Sequence, residues 1–253
     1  MSYTKYVKFT GRMVMVGFGS IGQGVLPLFL RHIDMNPEQI VIFTAHDEGR
    51  NVARACGVED FRFCPLTREN YLSHLQPLLH EGDFLVNLSY DVSSPALIEL
   101  CHQTGALYLD SCVEPWAGGY FDKSLSPTER SNYGLRETAL AISKKSWPYR
   151  PTCVITHGVN PGLVSHFVKQ ALLNMAADTG RPVRTPTTRE EWGQLAQSLD
   201  AKVIHIAERD TQVEAVLLHR NAFVALDVTF RDVDATVALD VAFCRREHFM
   251  AGG

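Results

Sequence analysis

The amino-acid sequence predicts an α/β protein: a doubly wound parallel sheet followed by the beginning of a second, α+β domain. Three observations carry that expectation. Short apolar runs alternate with helical patterns from residue 12 to about residue 177, which is how strands joined by crossover helices read. Gly57, Gly82 and Gly105 stand where helices should end, since a left-handed closing residue is least costly without a Cβ. The stretch Gly17-Phe18-Gly19-Ser20-Ile21-Gly22 falls between the first apolar run and the first helix.

Taken in order, residues 12–16, 39–44, 61–65, 83–88, 106–111 and 152–156 read as strands, most of them rich in β-branched or aromatic residues. Between them, 20–32, 48–56, 68–79, 94–104 and 126–145 carry apolar residues at helical spacing. A further helix over 161–175 places Leu163, Phe167, Val168, Ala171, Leu172 and Met175 on one face. Residues 180–188 read as a loop, 189–199 as a short helix and 202–207 as a strand. The expected division is a cofactor domain over 1–158, the start of a substrate domain over 159–212, and a tail over 213–253. From Val213 onward there is no Lys, Pro, Trp or Tyr, and Gly occurs only at the last two positions. Two strands with a phase change near Arg231, or a chain end foreign to the fold, account for that tail equally well.

Composition narrows the class. The 253 residues, 45% hydrophobic and 21% charged, bury a sizeable core and exclude disorder, collagen and coiled coil. With 24 Lys plus Arg against 28 Asp plus Glu, the formal net charge is -4, so no global field draws a polyanion and nucleic acid is not an expected partner. Cys56, Cys64, Cys101, Cys112, Cys153 and Cys244 form no CxxC pair, as befits reduced thiols in a cytoplasmic protein rather than a disulfide scaffold or zinc site. Residues 13–30 carry no charge and follow Lys5, Lys8 and Arg12, the outline of a signal peptide. Glycines and Pro27 interrupt that run and no small-residue cleavage site follows, so neither export nor a membrane span is expected.

The glycine loop carries the first chemistry. Gly17 would permit the tight turn, Gly19 would let the backbone approach a pyrophosphate, and Gly22 would let the helix pack on the strand. Ser20 and Ile21 open the helix, whose free N–H groups and partial positive charge suit phosphates. The alternative is a loop that only turns sharply. With the strand before it and the helix after it, the pattern reads as Rossmann-like. A ribose-binding acid is expected about 20 residues further on, at Asp47 in preference to Glu48. Arg50 and Arg54 stand close enough to raise NADP, though both also fit a solvated helix face. Asn87 and Ser89, ending the fourth strand, either line the nicotinamide half of the crevice or serve only as turn residues.

Ligands bind beyond the carboxyl ends of such strands, which gives weight to polar residues at 87–91, 110–116 and 157–162. A site for cationic amines needs carboxylates and gains from an aromatic face, and Asp91, Glu114 and Trp116 meet that description. The plainer account has Asp91 capping a helix and the other two in an ordinary surface loop.

The stretches GFGSIGQGVLPL (17–28), VNLSYDVSS (86–94), YLDSCVEPW (108–116), THGVNPGLVSHFVKQAL (156–172) and HIAERDTQ (205–212) resemble bacterial homospermidine synthase, a family related in fold to saccharopine dehydrogenase. The resemblance covers nearly all of 12–212 and ends after Gln212. It implies condensation of two putrescine molecules into sym-homospermidine with loss of ammonia, NAD serving as a retained redox group. It further implies Glu114 and Glu208 as diamine-binding carboxylates that move protons, Asp91 as a further anionic contact, and Asn160 as a polar contact beside the nicotinamide. His157, His166 and His205 are candidate proton carriers, each also explained as a histidine satisfied in the core. Family members are considerably longer and carry a diamine-orienting tryptophan that the tail here lacks. The expectation is therefore a truncated or frameshifted chain, a recognisable cofactor domain, poor or absent turnover, and a family homodimer at risk. Two other readings stay open: an NAD(P) oxidoreductase of the saccharopine or carboxyspermidine dehydrogenase kind, and a non-catalytic NAD-binding remnant.

Overall fold

The computed structural model describes residues 3–158, 162–181, 183–209, 223–229 and 243–244, of which 206–209, 223–229 and 243–244 by backbone alone. The chain divides into two compact units, Met1–His157 and Gly158–Gly253.

The first unit runs β1 (Val7–Lys8), β2 (Met13–Val16), α1 (Ser20–His32), β3 (Ile33–Asp34), β4 (Ile40–Thr44), α2 (Arg50–Ala55), β5 (Asp60–Phe63), α3 (Tyr71–Leu75), β6 (Phe84–Asn87), α4 (Ser94–Thr104), β7 (Leu107–Asp110), α5 (Asn132–Ile142) and β8 (Cys153–Val154). Six strands form one sheet in the order β5-β4-β2-β6-β7-β8, every neighbouring pair parallel. The chain winds outward from β2 in one direction and from β6 in the other, so the order reverses between these two strands, where such sheets open a crevice. Register aligns Val16 with Phe43 and Asn87, and Asn87 with Asp110. The carboxyl ends of the central strands therefore stand side by side.

Why the strands read as unbroken apolar runs is visible in the packing. Successive strand side chains point to opposite faces, and helices cover both faces. Val14, Val16, Val41, Phe43 and Leu85 belong to one buried cluster, whereas Met13, Met15, Ile40, Ile42 and Val86 belong to another.

Helix α1 occupies the expected residues, and Gly57, Gly82 and Gly105 all take left-handed φ values of 81–85°. Other elements are shorter than the periodicity predicts. The helix expected over 68–79 shrinks to α3 and a 3-10 turn, Gln76–Leu78. Pro77 lacks a donor there, and the Asn70 side chain takes the Thr67 N–H at 2.7 Å. The helix expected over 126–145 begins only after its N-cap Ser131, whose hydroxyl accepts from Gly134 N–H at 3.2 Å. Upstream of it, Asp122 and Glu129 carboxylates take the backbone N–H groups of Ser124 and Ser126, which favours turns over helix. The parallel pair β1–β3 was not expected.

The second unit comprises α6 (Leu163–Asp178), α7 (Arg189–Ser198), β9 (Val203–Arg209), β10 (Phe223–Thr229) and β11 (Phe243–Cys244). Both β10 and β11 pair antiparallel with β9. Val164, Val168, Leu172 and Ala176 of α6 pack with Leu195, Leu199 and Ile204, and Thr188 with Glu191 closes a capping box at the start of α7. Most of the tail expected over 213–253 lies outside the described residues. No helix among the described residues is long and apolar enough to cross a membrane.

Candidate functional site

A cleft of about 870 Å³ opens at the carboxyl ends of the sheet in the first unit, walled by residues 16–19, 43–46, 64–69, 88–92 and 116–117. It straddles the reversal between β2 and β6.

Each glycine of the loop has a distinct task. Gly17 takes φ 88°, and a Cβ there would lie 2.5 Å from the Ser89 nitrogen. A Cβ on Gly22 would lie 2.9 Å from the Gly17 carbonyl oxygen, so this position lets α1 close on the loop. A Cβ on Gly19 would meet nothing within 4 Å. Phe18 fixes the loop from below, 1% exposed and edge-on to Phe61 at 5.8 Å between centroids. Gly19 is the N-cap of α1, with no side-chain cap and no acidic residue in the first turn. Ser20 and Ile21, exposed, open that turn. Uncapped amides beside an open backbone fit a pyrophosphate.

The adenosine side follows β4. Thr44 Oγ1 donates to the His46 carbonyl at 3.0 Å and shapes the turn after the strand. Asp47 is not part of the cleft wall; its Oδ1 accepts from Arg50 at 2.5 and 2.8 Å. Arg50 lies one turn away and stacks over Phe61 at 4.5 Å, so a nearer cation engages the expected ribose acid. Arg68, absent from the sequence expectations, is an exposed cation on the cleft wall. It lies in the loop before α3, although the spacing predicts a helix from this residue onward, and no motif marks it as a site residue.

On the nicotinamide side the expected residues separate. Ser89 lines the cleft, whereas Asn87 is 1% exposed and lies beneath it. Leu85, Val86 and Asn87 are all buried, because β6 is covered on both faces, so its end points into the core whichever way it alternates. Asp91 also lines the cleft, with a left-handed φ of 63°. It does not cap α4: Ser93 does, accepting from Ala96 N–H at 3.4 Å. Ser94, fully buried, clamps the next loop, since Glu114 N–H donates to its hydroxyl at 3.0 Å and its own N–H donates to the Glu114 carbonyl at 2.9 Å. Glu114 is thereby held against the start of α4.

The Glu114 carboxyl is half-buried, and its Oε2 is buried without a hydrogen-bond partner. Burial pushes its pKa up, opposed by the nearby Tyr120 hydroxyl and Cys112 thiol, while the charge of Asp91 pushes it further up. Among the described residues neither Glu114 nor Asp91 forms an ion pair. Trp116 lines the cleft and packs on Tyr71 at 5.1 Å. Tyr120, which the sequence expectations omit, donates to Asn132 Oδ1 at 3.1 Å, and burial together with the charge of Glu114 pushes its pKa up.

Asp110, expected only as part of the strand-end stretch 110–116, is fully buried at the end of β7 and does not line the cleft. Burial pushes its carboxyl up to about 6, against the stabilising Thr156 N–H and Tyr108 hydroxyl. The folded state then holds a proton that the unfolded chain has released, so stability falls as pH rises from about 4 to about 6. The loss is at most about 3 kcal/mol. Urea denaturation at pH 4.5 and 7 is expected to show this slope in the wild type and to lose it in Asp110→Asn.

Asn160 lies outside the described residues, as does the side chain of Glu208 on β9. His166 lies on α6 and His205 on β9, while the His157 N–H donates to the Asp110 carbonyl at 2.9 Å.

Comparison with known proteins adds a family. The model of the saccharopine dehydrogenase NADP-binding domain matches residues 13–154. The homospermidine synthase of Blastochloris viridis is 52% identical over 210 residues, which cover 82% of this chain and 44% of that protein. The homospermidine synthase of Mesorhizobium japonicum is 44% identical over 212 residues, covering 82% and 43%. A crystal structure of the homospermidine synthase of Legionella pneumophila in complex with NAD superposes with a TM-score of 0.70 at 40% identity, covering 82% of this chain and 42% of that one. The chain thus spans under half the length of these relatives.

Proposed function

This chain belongs to the family of saccharopine dehydrogenase NADP-binding domains, and we propose that it is the cofactor-binding part of a homospermidine synthase that retains NAD and condenses two putrescine molecules with release of ammonia. The observation that carries this reading is the buried, unpartnered Oε2 of Glu114, which is not itself part of the cleft wall but lies beside Asp91, a residue that lines the cleft together with Trp116. A buried carboxylate oxygen without a partner is costly unless a ligand supplies the missing donor, and a diammonium substrate supplies it. The NAD-bound relative supports the choice of cofactor.

Bound NAD supplies a reversible hydride acceptor, which lets an amine pass through an imine and return with no net oxidation. The uncapped amides of α1 hold the diphosphate, and the open face of Gly19 admits it. Asp91 and Glu114 hold the ammonium end of the diamine, and Trp116 adds an aromatic wall. Glu114, its pKa raised, takes and returns the protons that imine exchange requires. Asn160 and Glu208 complete this reading as further contacts to nicotinamide and diamine. NAD is preferred over NADP because Arg50, the cation nearest the ribose acid, is held by Asp47 and Phe61. Arg68 on the same side favours NADP instead, and calorimetric titration with both nucleotides decides between them. The reading also includes a cytoplasmic location, supported by the free thiols of Cys56, Cys64, Cys101, Cys112 and Cys153, and a homodimer, which light scattering tests.

The expected result with the purified chain is NAD uptake and a putrescine-dependent change in tryptophan fluorescence. Glu114→Gln is expected to weaken the putrescine response roughly ten- to a hundredfold, the worth of a charge-assisted contact, and to leave NAD affinity unchanged. A chain that takes up no NAD at millimolar supply, or a putrescine response indifferent to Glu114→Gln, overturns the reading. Mass spectrometry of putrescine incubations separates the classes: a synthase forms homospermidine without added reductant, a dehydrogenase does not, and a binding remnant takes up NAD and forms nothing.

A further inference from the structure

A line of hydrogen bonds runs beneath the cleft from Ser89 to Thr156, and its polarity is fixed. The Ser89 N–H can only donate and lies 3.2 Å from Asn87 Oδ1. The Val92 carbonyl can only accept and lies 3.5 Å from Asn87 Nδ2. These two backbone groups decide which way round the Asn87 amide sits. The Ser89 hydroxyl, 2.6 Å from the same Oδ1, must then donate inward, because a carbonyl oxygen has no hydrogen to give. Beyond Asn87, Nδ2 donates to the Tyr108 hydroxyl at 3.4 Å, and Tyr108 donates to Asp110 Oδ2 at 2.9 Å. Asp110 Oδ1 accepts from Thr156 N–H at 2.5 Å. Asn87, Tyr108 and Asp110 are each at most 1% exposed, and of the four side chains Ser89 alone lines the cleft.

We propose that Tyr108 and Asp110 are positioning residues which, through Asn87, hold the Ser89 hydroxyl as an obligate hydrogen-bond acceptor for a donor on the nicotinamide half of the bound dinucleotide. The inference rests on the NAD reading above. An ordinary serine rotates its hydrogen to suit its ligand; this one has it committed inward and offers the cleft only lone pairs. Gly17 packs against the Ser89 backbone, which sets this acceptor beside the turn that receives the diphosphate. The donor therefore belongs to the cofactor, as a ribose hydroxyl or the carboxamide amino group. Leaving Tyr108 without its hydroxyl would strip Asn87 Nδ2 and Asp110 Oδ2 of a partner at once, and the amide that orients Ser89 would loosen.

The test is a double-mutant cycle on NAD affinity measured by calorimetry, with thermal melts to establish folding. Ser89→Ala is expected to weaken NAD about fivefold, the net worth of one hydrogen bond. Tyr108→Phe is expected to do the same, and the double variant to be no weaker than the worse single one, because both remove a single contact. Ser89→Thr, which keeps the hydroxyl, is expected to restore affinity to within about twofold. Where Tyr108→Phe does not fold, Asp110→Asn takes its place in the cycle with the same expectation, since it keeps an acceptor for Thr156 and turns a donor toward Tyr108. A Ser89→Ala penalty that persists with ADP-ribose assigns the donor to the ribose. A penalty present with NAD but lost with both ADP-ribose and nicotinic acid adenine dinucleotide assigns it to the carboxamide. Single variants with wild-type affinity, or effects that multiply to about 25-fold in the double variant, overturn the inference while the NAD reading stands. A wild type that takes up no NAD overturns both.

Discussion

Gly19→Ala is expected to weaken NAD roughly ten- to a hundredfold while leaving the melting temperature where it was. The backbone at Gly19 has φ -74° and ψ -156°, which alanine adopts without strain, and the added methyl meets no protein atom within 4 Å. On stability alone the substitution should fall within about 0.5 kcal/mol of neutral. The emptiness that makes it harmless to folding is the space the diphosphate needs. A methyl forced into a packed contact costs about 1–3 kcal/mol, which is the stated loss in affinity. Calorimetric titration and a thermal melt on the same sample separate the two effects. Unchanged affinity would mean that the dinucleotide does not lie against this backbone, and the cleft would lose its assignment.

How far that cleft could be read in the residues depends on whether local and tertiary forces agree. Helix α1 was legible to the residue because the glycine loop, the apolar spacing and the position of the first strand all require it. The reversal of strand order followed from the alternation of strands and helices. Asp47 was legible as a carboxylate at the right distance from the loop, but not its capture by Arg50, since pattern reading does not rank two partners for one group. Asn87, Tyr108 and Asp110 show a different failure. Asn87 reads as a cleft residue because it ends a strand, but β6 is buried on both faces and its last side chain stays in the core. Tyr108 and Asp110 carry the same parity on β7, and polar residues at core parity announce a buried hydrogen-bonded network. Arg68 opens a stretch that the spacing predicts as helix, Tyr120 lies in a loop without periodicity, and no motif marks either as a site residue.

The opposite expectation holds two residues upstream. Gly17→Ala is expected to destabilise the first unit by about 3 kcal/mol or more, through two costs that add. The backbone there has φ 88°, a conformation that costs an L-residue about 1–2 kcal/mol. The new Cβ would also lie 2.5 Å from Ser89 N, 2.6 Å from Ser89 Cα and 2.7 Å from the Leu88 carbonyl carbon. These are backbone atoms at the end of β6, which cannot rotate away as a side chain would. Relief requires β2 and β6 to part where the sheet is most buried, or the loop to leave its turn and expose Phe18. A fall in melting temperature of roughly 6–12 °C follows for a unit of this size, and NAD binding falls with it because the same displacement moves Ser89. The pair discriminates between two explanations of the glycine loop. If the loop only made a sharp turn, Gly17→Ala would unfold the unit and Gly19→Ala would change nothing. If it cradles a diphosphate, the first substitution acts through stability and the second through affinity alone.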